Sequence, residues 1–380
     1  MNVLNVNMSI DPVRGGGTAA RTLQMSLYLA KKGIECSILT TDTGLDSEYI
    51  KKIERAGVRI CALPAISSRF YLPAYGCSKT ISNLVQQADI IHIMNHWTIL
   101  NILVYIAIRK LNKPYVICPA GSLQIYGRSK FSKKTYNCLA GNKIVKNATD
   151  HIAVTSDEIR QFFAYGVKTE SIHVIPNGIN PEEYQESNDE EFRSKYRLGN
   201  DPFILFIGRL NRIKGPDLLL QSFCKVKDKL NDYRLVFAGP DGGMLHELKR
   251  MSNKHNADNK VHFIGYVGGK DKAQAYHAAD LVVIPSRQEA MSIVVLEAGI
   301  TKTPVLITDK CGFDDIADID GGMVVKATTE GLGKGLVEML KDLSVLKEKG
   351  TNLYKYTYDN FVWDKVVDNY INLYHQILNA

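Results

Sequence analysis

The chain has 380 residues, of which 45% are hydrophobic and 23% charged, and its formal net charge is +7. This length exceeds that at which a single hydrophobic core stops growing, so we expect two domains. The seven cysteines form no C-x-x-C pair, which argues against a disulfide framework or a zinc site and favours free thiols. The longest apolar run, residues 98–108, is too short to cross a bilayer. Because the N-terminus lacks a basic region followed by an apolar core, we expect a cytoplasmic protein.

The positive charge is concentrated in the first half of the chain. Residues 1–180 hold 21 Lys and Arg against 11 Asp and Glu, a net charge of +10, whereas the remainder carries −3. This asymmetry predicts an anionic partner for the first half, and nucleic acid, phospholipid headgroups and diphosphate-linked lipids all fit it. The densest basic cluster comprises Arg128, Lys130, Lys133 and Lys134. A solvated helix face is the alternative explanation of that cluster.

Strand-like and helix-like runs alternate from the N-terminus. The predicted strands of the first half cover residues 3–8, 35–41, 58–64, 89–94, 114–120 and 151–156. Residues 18–33 have apolar positions at helical spacing and end on a glycine, which predicts a helix between the first two strands. Strand–helix–strand alternation predicts a doubly wound parallel sheet.

A glycine-rich turn, residues 15–17, follows the first predicted strand. Gly16 and Gly17 allow a ligand to approach the backbone closely, and they lead into a helix N-terminus that offers N–H donors to phosphate or a sugar. Thr18 is placed to cap that helix. The turn does not match G-x-G-x-x-G, because Ala20 occupies the third glycine position, and a plain tight turn is the alternative.

Two histidines and one capping motif follow later strands of the first half. His92 and His96 stand at the end of the fourth strand, on the side where α/β sheets bind ligands. An ordinary packed or rim position is the alternative for each histidine. Thr155 and Glu158 have the spacing of a capping box, which is a structural motif.

The alternating pattern restarts after a polar stretch, which places a domain boundary near residue 180. The predicted strands of the second half cover residues 203–208, 233–239, 260–265, 281–286 and 304–308. Residues 361–378 have the pattern of one amphipathic helix. We therefore expect two Rossmann-like domains of similar size.

Two cations follow the first strand of the second half, in the segment GRLNRIKG (residues 208–215). Arg209 offers a planar fork of donors and Lys214 a point charge, and both suit a diphosphate. Such fixed cations would stabilise a leaving nucleoside diphosphate without a metal. A charged surface loop is the alternative.

Glu289 and Glu297 flank the start of a helix, with seven residues between them. They follow the apolar run 281–285, which reads as a buried parallel strand, and ligands of open α/β sheets sit beyond the carboxyl ends of such strands. Glu289 falls in the loop, Ser292 is placed to cap the helix, and Glu297 lies inside it. At 1.5 Å per residue the carboxylates could be up to roughly 12 Å apart, enough for opposite ends of one nucleotide sugar. Two solvated glutamates are the alternative.

These elements together resemble the family 4 retaining glycosyltransferases of the GT-B fold, over nearly the whole chain and in the family's order. The matching motifs are the glycine turn, residues 89–97 (DIIHIMNHW), 113–123 (KPYVICPAGSL), 150–158 (DHIAVTSDE), 174–180 (VIPNGIN), 208–215 (GRLNRIKG), 238–243 (AGPDGG), 261–267 (VHFIGYV) and 289–298 (EAMSIVVLEA), with Trp363 in the closing helix. The resemblance implies an α/β protein with two Rossmann-like doubly wound domains facing across a cleft. It assigns residues 1–180 to the acceptor side and 181–360 to the donor side, with the closing helix, about 361–380, packed back on the first domain.

The resemblance also implies roles for individual residues. Arg209 and Lys214 would hold the donor diphosphate, Glu297 the ribose hydroxyls, and Glu289 would face the donor sugar, so that Glu289, Arg209 and Lys214 are the catalytic set. The other implied donor-binding residues are Gly16, Gly17, Ile264, Met291, Ser292 and Ile293. The acceptor-side candidates are His92, His96 and Arg128. No metal ligand and no cofactor beside the donor is implied.

Two positions depart from the family pattern. Ala120 stands where family members commonly carry a histidine that touches the donor sugar, and residues 290–292 read AMS in place of G-F-G. The expected function is a retaining, metal-independent transfer of a sugar from a UDP- or GDP-linked donor to a glycan or lipid-linked acceptor. We expect a role in cell-surface polysaccharide assembly, peripheral contact with an anionic membrane and no nucleic-acid partner. The alternatives are a degenerate nucleotide-sugar-binding protein without turnover, a nucleotide-sugar epimerase, and a dinucleotide oxidoreductase, which the glycine spacing disfavours.

Overall fold

The computed structural model of the chain describes residues 1–13, 15–67, 70–125, 129–185, 188–230 and 232–379, and of Asp314 the backbone alone. The chain forms two compact units. The first comprises Met1–Gly178 together with Trp363–Ala380, and the second comprises Ile179–Val362. Each unit has its own parallel sheet and its own hydrophobic core. The expected α/β class with two doubly wound parallel sheets is therefore confirmed.

The strands of the first unit form a seven-stranded parallel sheet and a small antiparallel hairpin. They are β1 (Asn2–Val6), β2 (Glu35–Thr41), β3 (Val58–Leu63), β4 (Ala65–Ser67), β5 (Leu72–Pro73), β6 (Ile90–Met94), β7 (Tyr115–Cys118), β8 (Asp150–Ala153) and β9 (Ile172–Val174). The sheet order is β3-β2-β1-β6-β7-β8-β9, and β4 pairs with β5 in the hairpin. The order reverses at β1, which lies between β2 and β6. The loops after β1 and β6 therefore flank a topological switch point, where such sheets bind ligands.

Helices cover both faces of this sheet. They are α1 (Gly16–Lys31), α2 (Ser47–Arg55), α3 (Ser78–Gln87), α4 (Ile99–Leu111), α5 (Lys130–Tyr136), α6 (Asn142–Lys146) and α7 (Ile159–Phe163). A π-helical turn, Asn137–Gly141, joins α5 to α6 without a break. All five residues of β6 are buried, as expected of a central strand covered by helices on both faces.

The second unit contains a six-stranded parallel sheet in the order β12-β11-β10-β13-β14-β15. Its strands are β10 (Phe203–Ile207), β11 (Arg234–Ala238), β12 (Val261–Gly265), β13 (Leu281–Ile284), β14 (Val305–Thr308) and β15 (Gly322–Val325). Its helices are α8 (Asp189–Lys195), α9 (Pro216–Val226), α10 (Leu245–Lys254), α11 (Lys270–Ala278), α12 (Ile293–Ile300), α13 (Thr329–Met339) and α14 (Leu343–Asn360). The switch point falls at β10, between β11 and β13.

The last helix, α15 (Trp363–Asn379), belongs to the first unit and packs on α1. Its buried face carries large aromatic side chains, and the ring of Trp363 stacks on that of Tyr28 at 6.3 Å. A Cβ at Gly178 would collide with the Trp363 ring, so the glycine permits this close packing.

Predicted and observed elements differ mainly where strands are short. The prediction for β2 is confirmed to the residue, whereas the hairpin β4–β5, the strand β9 and the edge strand β15 were not predicted. These strands have two to four residues, too few for a hydrophobic period to show. The first helix begins at Gly16 after an N-cap at Gly15, so the prediction that Thr18 caps it is wrong.

Candidate functional site

In the second unit the loops after β10 and β11 run side by side. Leu210 N donates to the Pro240 carbonyl at 3.0 Å, and Gly242 N donates to the Leu210 carbonyl at 3.1 Å. A Cβ at Gly239, where φ is +145°, would collide with the Gly208 carbonyl oxygen. Only a glycine allows this approach at position 239, whereas Gly208 is required by its own φ of +151°. Arg209 is exposed on this loop.

The loop after β10 also packs on the loop after β13. A Cβ at Gly215, where φ is +71°, would collide with the Pro285 carbonyl. Arg287 N donates to the Ile213 carbonyl at 2.7 Å. The Arg287 guanidinium binds both carboxylate oxygens of Asp217, at 2.8 and 2.7 Å, at the start of α9. This bidentate pair, which sequence analysis did not predict, fixes the two loops against each other.

Lys214 and Glu289 meet at this junction. Lys214 Nζ lies 2.9 Å from Glu289 Oε2, and the other carboxylate oxygen accepts a hydrogen bond from Ser286 Oγ. The Glu289 side chain is 9% exposed, against 33% for that of Lys214. Two residues of the predicted catalytic set, 75 positions apart, are therefore side by side at the switch point.

Glu297 is buried in α12 and is bound by two side chains of α11. Lys272 Nζ pairs with Oε1, and the Tyr276 hydroxyl donates to Oε2; both donors lie on α11. Tyr184 packs against Tyr276 with ring centroids 6.1 Å apart, and its pKa is raised by burial first and by Glu297 second. Because a carboxylate has about four acceptor positions, Glu297 retains capacity for ligand hydroxyls.

The segment between the two glutamates enters α12 through backbone contacts with the loop after β14. Glu289 N donates to the Lys310 carbonyl at 2.8 Å and Ser292 N to the Cys311 carbonyl at 3.1 Å. Ser292 occupies the N-cap position as predicted, but its side chain makes no capping bond. Within the described residues its buried Oγ has no hydrogen-bond partner. The N-terminus of α12 is therefore an available donor and hydroxyl site.

The remaining predicted donor residues of this unit lie at or after the carboxyl ends of β12 and β13. Met291 is buried and Ile293 begins α12. Ile264 is in β12, next to its last residue Gly265. Their donor contacts stay predictions, as do the roles of Arg209, Lys214, Glu289 and Glu297.

In the first unit the glycine turn precedes α1. Gly15 N donates to the Asp11 carbonyl at 2.9 Å, and a Cβ at Gly15 would collide with Ala19 and that carbonyl. Gly16, with φ +67°, and Gly17 are exposed at the first turn of the helix. Their backbone groups can therefore be reached by a ligand. Phosphate or acceptor binding by them stays a prediction.

His92 lies in the core of the first unit. Its side chain is fully buried, and Nδ1 is 2.7 Å from the Tyr374 hydroxyl of α15. Burial first, and the charge of Arg21 second, lower the pKa of His92 to about 3, so the ring is neutral. The His92 ring also packs against Tyr370 and Tyr374 of α15. The geometry therefore favours the packing alternative.

His96 is also buried, but it lies beside aromatic side chains next to the loop after β7. Its Nε2 is 2.8 Å from Asn137 Oδ1 in the π-helical turn, and its ring lies 4.5 Å from that of Trp97. Burial lowers the pKa of His96 to about 4, while the Asn137 hydrogen bond acts in the opposite direction. Lys133 Nζ stands 5.3 Å from the centre of the Trp97 ring. Arg128, the third acceptor-side candidate, lies outside the described residues.

A buried charged network lies behind these loops. The Arg21 guanidinium donates to Asn177 Oδ1 at 2.5 Å, to the Ile175 carbonyl at 2.9 Å and to the Tyr370 hydroxyl. Glu158 accepts from Val154 N at 2.7 Å and from Gly121 N, and burial raises its pKa. The network was not predicted from the sequence.

The predicted capping box of Thr155 and Glu158 does not form. Thr155 makes no capping bond, and the Glu158 carboxylate binds the neighbouring loops, so that prediction is wrong. One of these loops contains Ala120, the departure from the family histidine, which holds a left-handed φ of +48°. Such a conformation costs about 1–3 kcal/mol in a residue other than glycine and persists where the surroundings impose it.

Within the described residues no group of three or more His, Cys, Asp or Glu side chains lies close enough to hold a metal ion. Among the helices of the described chain, none has the length and apolar content needed to cross a bilayer.

Two family models match the chain, one in each half. Residues 15–183 match Glycosyltransferase Family 4, and residues 188–359 match Glycosyl transferases group 1. A D-inositol 3-phosphate glycosyltransferase of Nocardia farcinica is 24% identical over 390 residues, covering 96% of this chain and 85% of the relative. An uncharacterized glycosyltransferase of Methanocaldococcus jannaschii is 30% identical over 217 residues, which are 55% of either chain.

Solved structures share the fold along the whole chain. HepE of Anabaena, in complex with UDP and glucose, has a TM-score of 0.82 at 18% identity and covers 99% of this chain and 100% of that one. Sucrose-phosphate synthase of Thermosynechococcus elongatus has a TM-score of 0.79 at 19% identity, covering 100% of this chain and 99% of the other. With both halves matched in order and the two-sheet fold shared from end to end, the protein belongs to the family 4 glycosyltransferases of the GT-B fold and is itself a glycosyltransferase.

Proposed function

We propose that the second unit binds a nucleoside-diphosphate sugar, linked to UDP or GDP, at the carboxyl ends of β10 and β13. The observation that carries the proposal is the Lys214–Glu289 pair at 2.9 Å, which joins a cation and a carboxylate at the switch point of the sheet. Glu297, farther along the same segment, offers acceptors for the ribose hydroxyls. The HepE neighbour is also described in complex with UDP-glucose, which supports a donor of this class.

The proposed reaction retains the anomeric configuration. The bond from the sugar C1 to the diphosphate oxygen breaks, and the acceptor oxygen bonds to C1 on the same face. The acceptor proton passes to the departing diphosphate oxygen. Arg209 and Lys214 carry fixed positive charge close to where this negative charge develops, and the N–H groups at the start of α12 add donors. We therefore propose that the reaction needs no metal and no cofactor.

The proposed acceptor is a glycan or a lipid-linked glycan, as in the assembly of cell-surface polysaccharides. The support is the net charge of +10 in residues 1–180, which suits an anionic or diphosphate-linked molecule. The relatives of Nocardia farcinica and Xylanimonas cellulosilytica are named D-inositol 3-phosphate glycosyltransferases, and D-inositol 3-phosphate is also anionic.

A second candidate is donor binding without transfer. The observation that favours it is Ala120, which cannot provide the hydrogen bonds of the family histidine. Donor cleavage measured with and without acceptor separates the two. Cleavage that depends on the protein supports the transferase, and tight binding of the sugar nucleotide with no cleavage supports the degenerate form. A nucleotide-sugar epimerase would instead convert the donor sugar without releasing diphosphate.

The proposal is tested by calorimetric titration of UDP and GDP in excess EDTA. One nucleotide is expected to bind the wild type, and Lys214→Met is expected to weaken it by about 1.5–3 kcal/mol, the usual contribution of a charged hydrogen bond. Lys334→Met, an equal change at a lysine that is 78% exposed on α13, is the control. Nucleotide binding that requires magnesium, or that Lys214→Met leaves unchanged, would contradict the proposal.

A further inference from the structure

A continuous basic helix stands on the surface of the first unit. It consists of α5, the π-helical turn and α6, and spans residues 130–146. These 17 residues contain five lysines and no acidic residue. At 1.5 Å per residue the segment is about 25 Å long. We call it the basic helix.

The basic helix has one face in the core and one in solvent. Ala140, Ile144 and Val145 are buried in the hydrophobic core of the unit. On the outer face, Phe131 is 83% exposed and Leu139 is 72% exposed. These two apolar side chains are eight residues apart, a spacing that falls within one broad apolar stripe of a helix.

The lysines divide between the two faces. Lys130, Lys134, Lys143 and Lys146 are exposed with Phe131 and Leu139. Lys133 instead turns inward over the Trp97 ring, so it does not belong to the exposed set. The outer face therefore combines concentrated positive charge with large apolar side chains.

The neighbouring helix α4 also exposes apolar side chains. α4 packs against α6, and its Ile99 and Ile106 are 46% and 58% exposed. Arg109 and Lys110 in its last turn are exposed as well. Such a combination of apolar side chains and lysines is what an interfacial helix presents to the boundary between headgroups and acyl chains.

We propose that the basic helix lies on an anionic bilayer, with Phe131 and Leu139 inserted and the four exposed lysines among the headgroups. The occupant is a bilayer because the lysines attract anionic headgroups while the isolated apolar side chains need a fluid apolar layer. The proposal does not depend on the donor chemistry, since every residue it uses belongs to the first unit.

Cys138 provides a probe for this contact. It is exposed beside Leu139, whereas Cys61 is partly exposed and the other five cysteines are buried. An environment-sensitive thiol dye placed on Cys138 in a Cys61→Ser background should shift to the blue with phosphatidylglycerol vesicles. The shift should weaken as salt rises and should be absent with phosphatidylcholine vesicles.

Two pairs of variants separate charge from insertion, and vesicle co-sedimentation without the dye measures both. Each lysine lost should weaken binding about fivefold, so Lys134→Glu with Lys143→Glu should weaken it at least 25-fold. Lys51→Glu with Lys52→Glu on α2 is the control of equal charge.

Phe131→Ser with Leu139→Ser should weaken binding at least tenfold and abolish the blue shift expected at Cys138. Phe163→Ser, at a side chain 49% exposed on α7, is its control.

Other results would overturn the proposal. The proposal is wrong if the protein binds both kinds of vesicle equally or binds neither. It is also wrong if test and control variants have equal effects. A soluble acidic partner or a solvated face would then remain as the explanation. UDP and GDP binding, measured on the same variants, should not change. A failure of nucleotide binding alone would therefore count against the donor proposal and not against the membrane contact.

Discussion

Glu289 and Glu297 belong to one motif but have different partners. Glu289 is bound by Lys214 and Ser286, from the two loops at the switch point. Glu297 is bound by Lys272 and Tyr276, both on α11. The first carboxylate is thus tied to the cation proposed for the diphosphate, and the second is fixed by a helix. This difference agrees with the proposal that Glu289 faces the reacting sugar of the donor and that Glu297 anchors its ribose.

Replacing Glu297 by glutamine tests the anchoring end. The amide keeps the shape of the side chain but offers a weaker acceptor to the ribose hydroxyls and to Lys272. We expect nucleotide affinity to fall by about 1.5–3 kcal/mol in calorimetry, because a charged hydrogen bond is lost. Affinity unchanged in a folded Glu297→Gln protein would remove ribose binding from this residue.

His96 should make the protein less stable in acid. Its pKa is about 4 in the folded protein, against an ordinary histidine pKa of 6.5 in the unfolded chain. Below about pH 6.5 the unfolded chain therefore takes up a proton that the folded protein refuses, and stability falls until about pH 4. The slope for one such group is about 1.4 kcal/mol per pH unit.

Urea unfolding of the wild type and of His96→Gln measures this effect. The glutamine can keep a hydrogen bond to Asn137 but does not titrate. The wild type should therefore lose more stability than the variant between about pH 6.5 and about pH 4.5. Parallel losses in the two proteins would show that His96 does not titrate as its burial requires.

At the scale of elements, glycines allow the donor loops to approach each other. Gly312, in the loop after β14, has a φ of +69°, and a Cβ there would collide with the Ala290 carbonyl. That contact holds the loop against the segment from Glu289 to Ser292, whose N–H groups bind the same loop. The position of the α12 N-terminus therefore depends on this glycine.

Gly312→Ala should accordingly lower both stability and nucleotide affinity. The strained conformation alone costs about 1–3 kcal/mol, and the collision displaces the donor loop. Gly333→Ala inside α13 is the control, because its Cβ would meet Val226 at an ordinary 3.4 Å. Alanine favours a helix by about 1 kcal/mol over glycine there. If thermal unfolding and UDP or GDP titration show the same result for both variants, the close approach does not matter.

The elements that sequence predicted are those with a local pattern. Strands such as β10 and β13 are apolar runs, and the glutamates stand in a fixed spacing after β13, so these strands and the motif could be identified without a structure. The partners of Glu297 could not be identified from the sequence. Lys272 and Tyr276 lie 25 and 21 residues away on another helix, and the pairing depends on how α11 packs beside α12. The buried Arg21 joins segments up to 349 positions apart and has no local signal at all.

At the scale of the whole molecule, charge and chemistry are divided between the halves of the chain. Residues 1–180 carry the positive excess, and the second unit contains the carboxylates and cations proposed for the donor. The charge counts and the restarting strand pattern on which this division was predicted are properties of the sequence alone. Both histidines were predicted on the acceptor side, whereas the structure buries them, because burial depends on α15 and the π-helical turn.

The most direct test of the account is to follow the donor sugar by NMR. UDP- and GDP-linked sugars of α configuration would be incubated with the protein in excess EDTA, with and without D-inositol 3-phosphate as a trial acceptor. The proposed mechanism predicts release of the nucleoside diphosphate and a first-formed sugar product, transferred or hydrolysed, that retains the α configuration. A β product, or cleavage that requires magnesium, would contradict the proposed mechanism.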